Sequence, residues 1–139
     1  MAAAALDFGR RRIGVAVTDA AAMGAHPLGV VERRSIKRDL EALAVMLRDR
    51  EITTFVVGLP LNMNGSEGPA ALAARAFADK VAEAFGVKVE MFDERLTSVE
   101  AEERLKRLPV RRGARKPAID AIAAAVILEG WMQSRAEKT

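Results

Sequence analysis

The chain has 139 residues, half of them hydrophobic, and a formal charge of +3 from 22 basic and 19 acidic side chains. That length suits a single domain, residues 1–139, and the hydrophobic content excludes a disordered chain. With no cysteine, a disulfide scaffold, a thiol nucleophile and a cysteine-ligated zinc centre are excluded too. From the amino terminus, ALDFG reads as a strand, RRR as a turn, and IGVAVTD as a second strand returning beside it, because Ile13, Val15 and Val17 are β-branched. Gly24 to Pro27 reads as a turn and LGVVER as a third, short strand. From Ser35 the period changes: Ile36, Leu40, Leu43 and Leu47 share one helical face, and the helix fades near Arg50.

TTFVVGLP is apolar throughout its middle, as a strand buried on both faces would be, and LNMNGSEGP after it is a loop of turn-forming residues. Ala70 to Phe85 reads as a helix with Ala74, Phe77, Val81 and Ala84 inward and Gly86 as its C-cap. VKVEMFDERL reads as a last strand. Thr97 or Ser98 would cap a short helix whose positive end suits Glu100 and Glu102. A final helix runs from about Pro117 towards Gln133, proline being tolerated in a first turn. This order predicts a three-layer α/β domain: a five-stranded mixed sheet, first a meander and then helical crossovers. The longest apolar run, Ala121 to Leu128, is too short to span a bilayer, and MAAAALDFGRRR lacks the features of a secretory signal. The expectation is a soluble, cytoplasmic protein with no membrane partner.

Acids are the unexpected feature of these apolar segments. Asp7 sits in the first strand, Asp93 and Glu94 end the last strand, and Asp120 interrupts an apolar helix beside Ala123, Ala124 and Ile127. An unpaired buried carboxylate is costly, so each must cap a strand, pair with an arginine, or converge with the others. A converged set would be an all-oxygen cage suited to Mg²⁺ or Mn²⁺.

Four stretches, LDFGRRRIGVAVTD, VVGLPLNMNGSEG, FDERLTSVEAEERL and RKPAIDAIAAAVIL, resemble in order the signature blocks of the YqgF family. Its members are described as pre-16S rRNA nucleases related to Holliday-junction resolvases, with a ribonuclease H-like fold. The resemblance implies that Asp7, Glu94 and Asp120 are the catalytic and metal-holding acids. In the related resolvases a further acid ends the fourth strand; here Gly58 stands in that place, and the resemblance implies that Glu94 supplies the ligand from the neighbouring strand. Arg11 and Arg12 stand where the family has a Lys-Arg pair, and would meet substrate phosphates.

Between Arg104 and Lys116 the chain carries seven cations and no acid, a composition that suits a phosphate backbone. Arg111, Arg112, Arg115 and Lys116 are its expected nucleic-acid contacts, together with Arg95 in the FDERLTS block and Asn62 in the loop after the buried strand. His26, the only histidine, has no visible partner and reads as structural; Trp131 reads as helix packing or an interface anchor. Aromatics are few, so recognition should run through backbone and shape more than through stacked bases. The function these readings imply is a metal-dependent nuclease processing the 5′ end of pre-16S rRNA, acting as monomer or homodimer. The alternatives are a Holliday-junction resolvase on branched DNA and a non-catalytic nucleic-acid-binding module. A kinase or ATPase would need a second lobe, for which 139 residues leave little room.

Overall fold

The computed structural model describes residues 2–19, 24–97 and 115–137, with Val99, Glu103 and Arg107. Strands β1 (Ala2–Phe8) and β2 (Arg12–Thr18) form a hairpin closed by the Gly9 amide donating to the Arg12 carbonyl at 3.0 Å. β3 (Ala25–Glu32) pairs antiparallel with β2 along the sheet edge. It begins earlier than the sequence predicts: His26 and Pro27 lie in the strand, not in a turn. An edge position tolerates Pro27, which cannot donate to a ladder, and the β2–β3 register shifts between Val15 and Ala16, beside it.

Helix α1 (Ile36–Met46) leads to β4 (Ile52–Leu59), which lies parallel to β1. Ser35 is the N-cap of α1, its side chain accepting from the Arg38 amide at 3.2 Å. Helix α2 (Pro69–Phe85) leads to β5 (Lys88–Asp93), parallel to β4, and ends at Gly86 in the left-handed region. The five-stranded order is β3-β2-β1-β4-β5, the mixed sheet that the sequence predicts. Its two faces are chemically distinct. Leu6, Ile13, Val15, Val31, Phe55 and Val57 bury against α1 and α2, where Leu43, Leu47, Phe77 and Val81 meet them. Phe8 stacks on Phe77 with ring centroids 4.3 Å apart. Truncating Phe55 or Phe77 to alanine would cost about 3–5 kcal/mol.

The opposite face presents smaller groups, Ala3, Ala5, Ala16 and Val56, to helix α3 (Arg115–Glu137). Ala124, Ala125, Ile127 and Leu128 fill that layer, and short side chains on both partners let the helix lie close to the sheet. Three boundaries differ from expectation. Ala84 is exposed and Phe85 packs inward instead, since α2 rests on the sheet through Ala74, Phe77, Ala78 and Val81. The last strand stops at Asp93, and Glu94–Leu96 form a 3₁₀ turn. α3 opens at Arg115, with Pro117 still in the first turn, where its missing N–H has no intrahelical partner to lose. The short helix expected after Thr97 or Ser98, with Glu100 and Glu102, lies outside the described residues.

Candidate active site

The site grows from the carboxyl ends of β1 and β5 on the α3 face. Alternation from Ala3 and Ala5 puts Asp7 on that face, partly buried near the end of β1. Burial pushes its carboxyl up to about 6, and the nearby negative charge of Asp120 adds to the rise. Asp7 lies across the ladder from Gly14. A methyl group on Gly14 would stand 2.6 Å from the Asp120 carbonyl carbon and overlap the carbonyl oxygen. The bare backbone at Gly14 is therefore what lets the first turns of α3 rest on β2 and bring Asp120 beside Asp7.

Arg12 serves two acids. Its Nε donates to Glu32 Oε1 at 3.0 Å across the β2–β3 ladder, and its Nη1 lies 3.4 Å from Asp120 Oδ2. The family resemblance implies a phosphate contact for Arg12; here Arg12 already pairs with a candidate metal ligand.

Glu94 arrives from the other side. β5 ends at Asp93, which caps the 3₁₀ turn by accepting the Arg95 amide at 2.9 Å. The Arg95 guanidinium forks onto the same carboxylate, Nε at 3.0 Å and Nη2 at 2.7 Å, and holds Asp93 below its usual range. Asp93 is thus committed locally, capping its own turn and pairing with an arginine. Glu94 turns to the α3 face, where a methyl group on Gly58 would sit 2.9 Å from Glu94 Oε1 and 2.6 Å from Ile127 Cδ1. Its carboxylate fills the space that a side chain at position 58 would take. Glu94 also faces an open groove on the helix side, which it lines together with Thr97, Ile119, Ile122, Ala123 and Val126. Burial lifts the Glu94 carboxyl to about 7, with the charges of Asp7 and then Asp93 adding to it.

Asp7, Glu94 and Asp120 therefore share one face, with Asp7 in the field of Asp120 and Glu94 in the field of Asp7. Among the described residues no three acidic or imidazole side chains are gathered tightly enough to enclose an ion as they stand. The chemistry of the donor set fits a hard divalent cation: three carboxylates, two of them raised by burial and mutual repulsion, with a guanidinium as stand-in charge on the third.

The other expected contacts divide. Arg11 is exposed in the β1–β2 turn, with its side chain unengaged by any described residue. Arg95 is not a free cation: beyond Asp93 it donates to the Met63 carbonyl at 3.2 Å and braces the β4–α2 loop. Asn62 donates to Ser66 Oγ at 2.9 Å, and Asn64 Oδ1 accepts the Ser66 amide at 3.0 Å, so this loop closes on itself. Arg111 and Arg112 lie outside the described residues; Arg115 and Lys116 open α3, and their side chains lie outside that description. His26 approaches Asp19 at 3.4 Å at the opposite end of β3, away from the carboxylates. Trp131 is partly buried on α3, under the Arg135 guanidinium at 4.7 Å. Two contributors escaped the sequence reading. Glu32 gave no signal, but Gly14 did: a glycine inside a β-branched run marks a close backbone approach.

Residues 1–134 match the family described as RuvX, Holliday junction resolvase. A protein of Anaeromyxobacter sp. (strain Fw109-5) named "Putative pre-16S rRNA nuclease" is 52% identical over 130 residues, 94% of this chain and 95% of its own length. A protein of the same name from Myxococcus xanthus (strain DK1622) is 48% identical over 129 residues, 93% of this chain and 85% of its own. Among solved structures, RuvC of T. thermophilus in complex with a Holliday junction substrate superposes with a TM-score of 0.57 at 16% identity, over 96% of both chains. The fowlpox virus resolvase bound to Holliday junction DNA gives 0.59 at 10% identity, over 97% of this chain and 99% of that one. At such identities the likeness is one of fold, and that fold is ribonuclease H-like.

Proposed function

The chain belongs to the RuvX (YqgF) family, and from that membership we propose that it is a metal-dependent nuclease that processes the 5′ end of pre-16S rRNA. The observation that carries the reading is Glu94 seated over Gly58, near Asp7, with Asp120 delivered to the same face by Gly14. A carboxylate placed this way from the 3₁₀ turn after β5 stands in for an acid on β4. Asp7, Glu94 and Asp120 would hold Mg²⁺ or Mn²⁺. When bound, the ion lowers the pKa of an attacking water and stabilises the leaving oxygen of a phosphodiester.

The chain's own residues do the rest. Asp7 and Glu94 release their protons to become ligands, which their raised values make strongly dependent on pH. Arg12, beside Asp120, is within the site's reach and can turn to a substrate phosphate; Arg11 offers a second cation on the same turn. No described helix is long and apolar enough to cross a membrane, and we place the protein with its rRNA substrate in the cytoplasm. Holliday-junction resolution is the second reading, favoured by the description of the family that residues 1–134 match, Holliday junction resolvase.

Cleavage of a pre-rRNA leader, a four-way junction and single strands, each with Mn²⁺, Mg²⁺ or chelator, tests both readings. Asp7→Asn, Glu94→Gln and Asp120→Asn should each abolish metal-dependent cleavage with the fold intact, whereas Asp93→Asn should keep measurable activity. A dead Asp93→Asn beside an active Glu94→Gln would reassign the ligand. Preference for the junction over the leader would select the second reading.

A further inference from the structure

A basic surface that extends from the β1–β2 turn to residues outside the quoted motifs, Arg33, Arg34, Lys37 and Arg38, lies beside the site. The β1–β2 turn is sewn to the end of β3 by Arg33: its amide donates to the Arg11 carbonyl at 2.8 Å, and its Nη1 donates to the Gly9 and Arg10 carbonyls at 2.9 and 3.2 Å. The Arg33 guanidinium is further fixed 4.2 Å above the Phe8 ring. This stitching joins the cations of the turn, Arg10 and Arg11, to those of the β3–α1 junction, Arg34, Lys37 and Arg38. All five are exposed, and none of their side chains has an ion pair among the described residues.

The placement is unfavourable for the free protein. Lys37 and Arg38 occupy the first turn of α1, at the positive end of the helix dipole, where acids are preferred. The acid there, Asp39, is turned inward and only 2% exposed, its Oδ1 accepting the Arg34 amide at 2.9 Å. It organises the backbone and leaves the cations uncompensated. Five unpaired charges on a rigid junction repel one another unless an extended polyanion covers them.

We propose that this surface is a phosphate-backbone track that carries the flank of the nucleic-acid substrate away from the scissile bond. The proposal deepens the nuclease reading and rests on it for the identity of the polyanion. Site and track share the carboxyl ends of β1 and β3. β3 lies two strand spacings from β1, about 10 Å. The track thus begins about two strand spacings from Asp7, towards the β3 edge, while the β4–α2 loop and the 3₁₀ turn border the site on its other side.

The test is fluorescence anisotropy in chelator, so that binding is read without cleavage. The probe is a labelled RNA hairpin whose single-stranded flanks are about ten nucleotides long, or, in the short probe, are cut back to the stem. For the long probe, the Arg34→Ala/Lys37→Ala/Arg38→Ala triple variant should flatten the slope of log K against log salt by about two to three units. Lys37→Ala and Arg38→Ala alone, which keep the backbone cap at Ser35, should each flatten it by about one unit. The short probe should bind wild type and variants alike. An unchanged slope in variants that keep the wild-type melting temperature overturns the track, as does an equal loss on long and short probes. Wild-type binding to phosphatidylserine vesicles that the triple variant loses, with its RNA slope unchanged, overturns it in favour of a lipid surface. A failed cleavage assay would leave this result standing, and a flat slope here would leave the nuclease reading standing.

Discussion

Asp7 and Glu94 are acids that the fold holds at about 6 and about 7. Unfolded, they titrate near their ordinary values, about 3.9 and 4.3. Between those limits the folded state binds more protons, so their contribution to stability is fully present below about pH 4 and is lost as pH rises through 6 to 7. The melting temperature of the metal-free protein should therefore fall between about pH 5 and pH 8. Mn²⁺ affinity, measured by calorimetry, should rise over the same window, because the ion must displace those protons. A melting temperature flat across that range would mean that these carboxyls are not held neutral. Arg12 acts on the third acid. Arg12→Gln removes the competing cation from Asp120, so Mn²⁺ should bind about two- to fivefold more tightly, the worth of a partly exposed ion pair, while RNA binding weakens. Weaker Mn²⁺ binding would instead make Arg12 a support for the Asp120 geometry.

Elements meet at this site through missing side chains. Gly14 opens β2 to α3, and Gly58 opens β4 to the Glu94 carboxylate. The two differ in what an added methyl would strike. At Gly14 it meets backbone of Asp120 and Ala121, which can yield only if the helix moves. Gly14→Ala should then destabilise by about 1–3 kcal/mol, read as a lower melting temperature, with activity lost alongside. At Gly58 the obstacles are the ends of two side chains, Ile127 and Glu94, which can swing. Gly58→Ala should cost less stability yet cut cleavage steeply, by moving the carboxylate. Equal effects on stability and cleavage in both variants would contradict this division. α1 and α2 were legible from apolar residues at helical spacing, β4 from a short continuous apolar run and α3 from a proline ahead of a long apolar run, but the early start of β3 and the stop of β5 at Asp93 were not. Asp93 capping its own turn through the Arg95 amide competes with strand extension, and alternation does not report it.

For the molecule as a whole, charge distribution matters more than the sum of +3. The segment from Arg104 to Lys116 supplies a second concentration of cations, read from sequence. Arg111→Ala with Arg112→Ala should flatten the salt dependence of RNA binding by up to about two units and alter cleavage at saturating substrate less. An unchanged slope would assign that segment to solvent. Binding of an ion to the folded state alone should raise the melting temperature by mass action, so millimolar Mn²⁺ ought to stabilise wild type more than Asp7→Asn.

Sequence by itself determined the layer architecture, the order of the elements and the acids out of place in apolar segments, Asp7, Asp93, Glu94 and Asp120, because hydrophobic period and misplaced charge are local properties; family resemblance then selected Glu94 over Asp93. It also contained Gly14 and Gly58 as interruptions in β-branched runs, though not what each would admit. Only the tertiary structure decided that Arg12 answers to both Glu32 and Asp120, that Arg95 is tied to Asp93 and Met63, and that Arg34, Lys37 and Arg38 stand beside the turn of Arg10 and Arg11. Those pairings join residues up to 108 positions apart. They depend on strand order and on how closely α3 approaches β2, and no period along the chain encodes either distance.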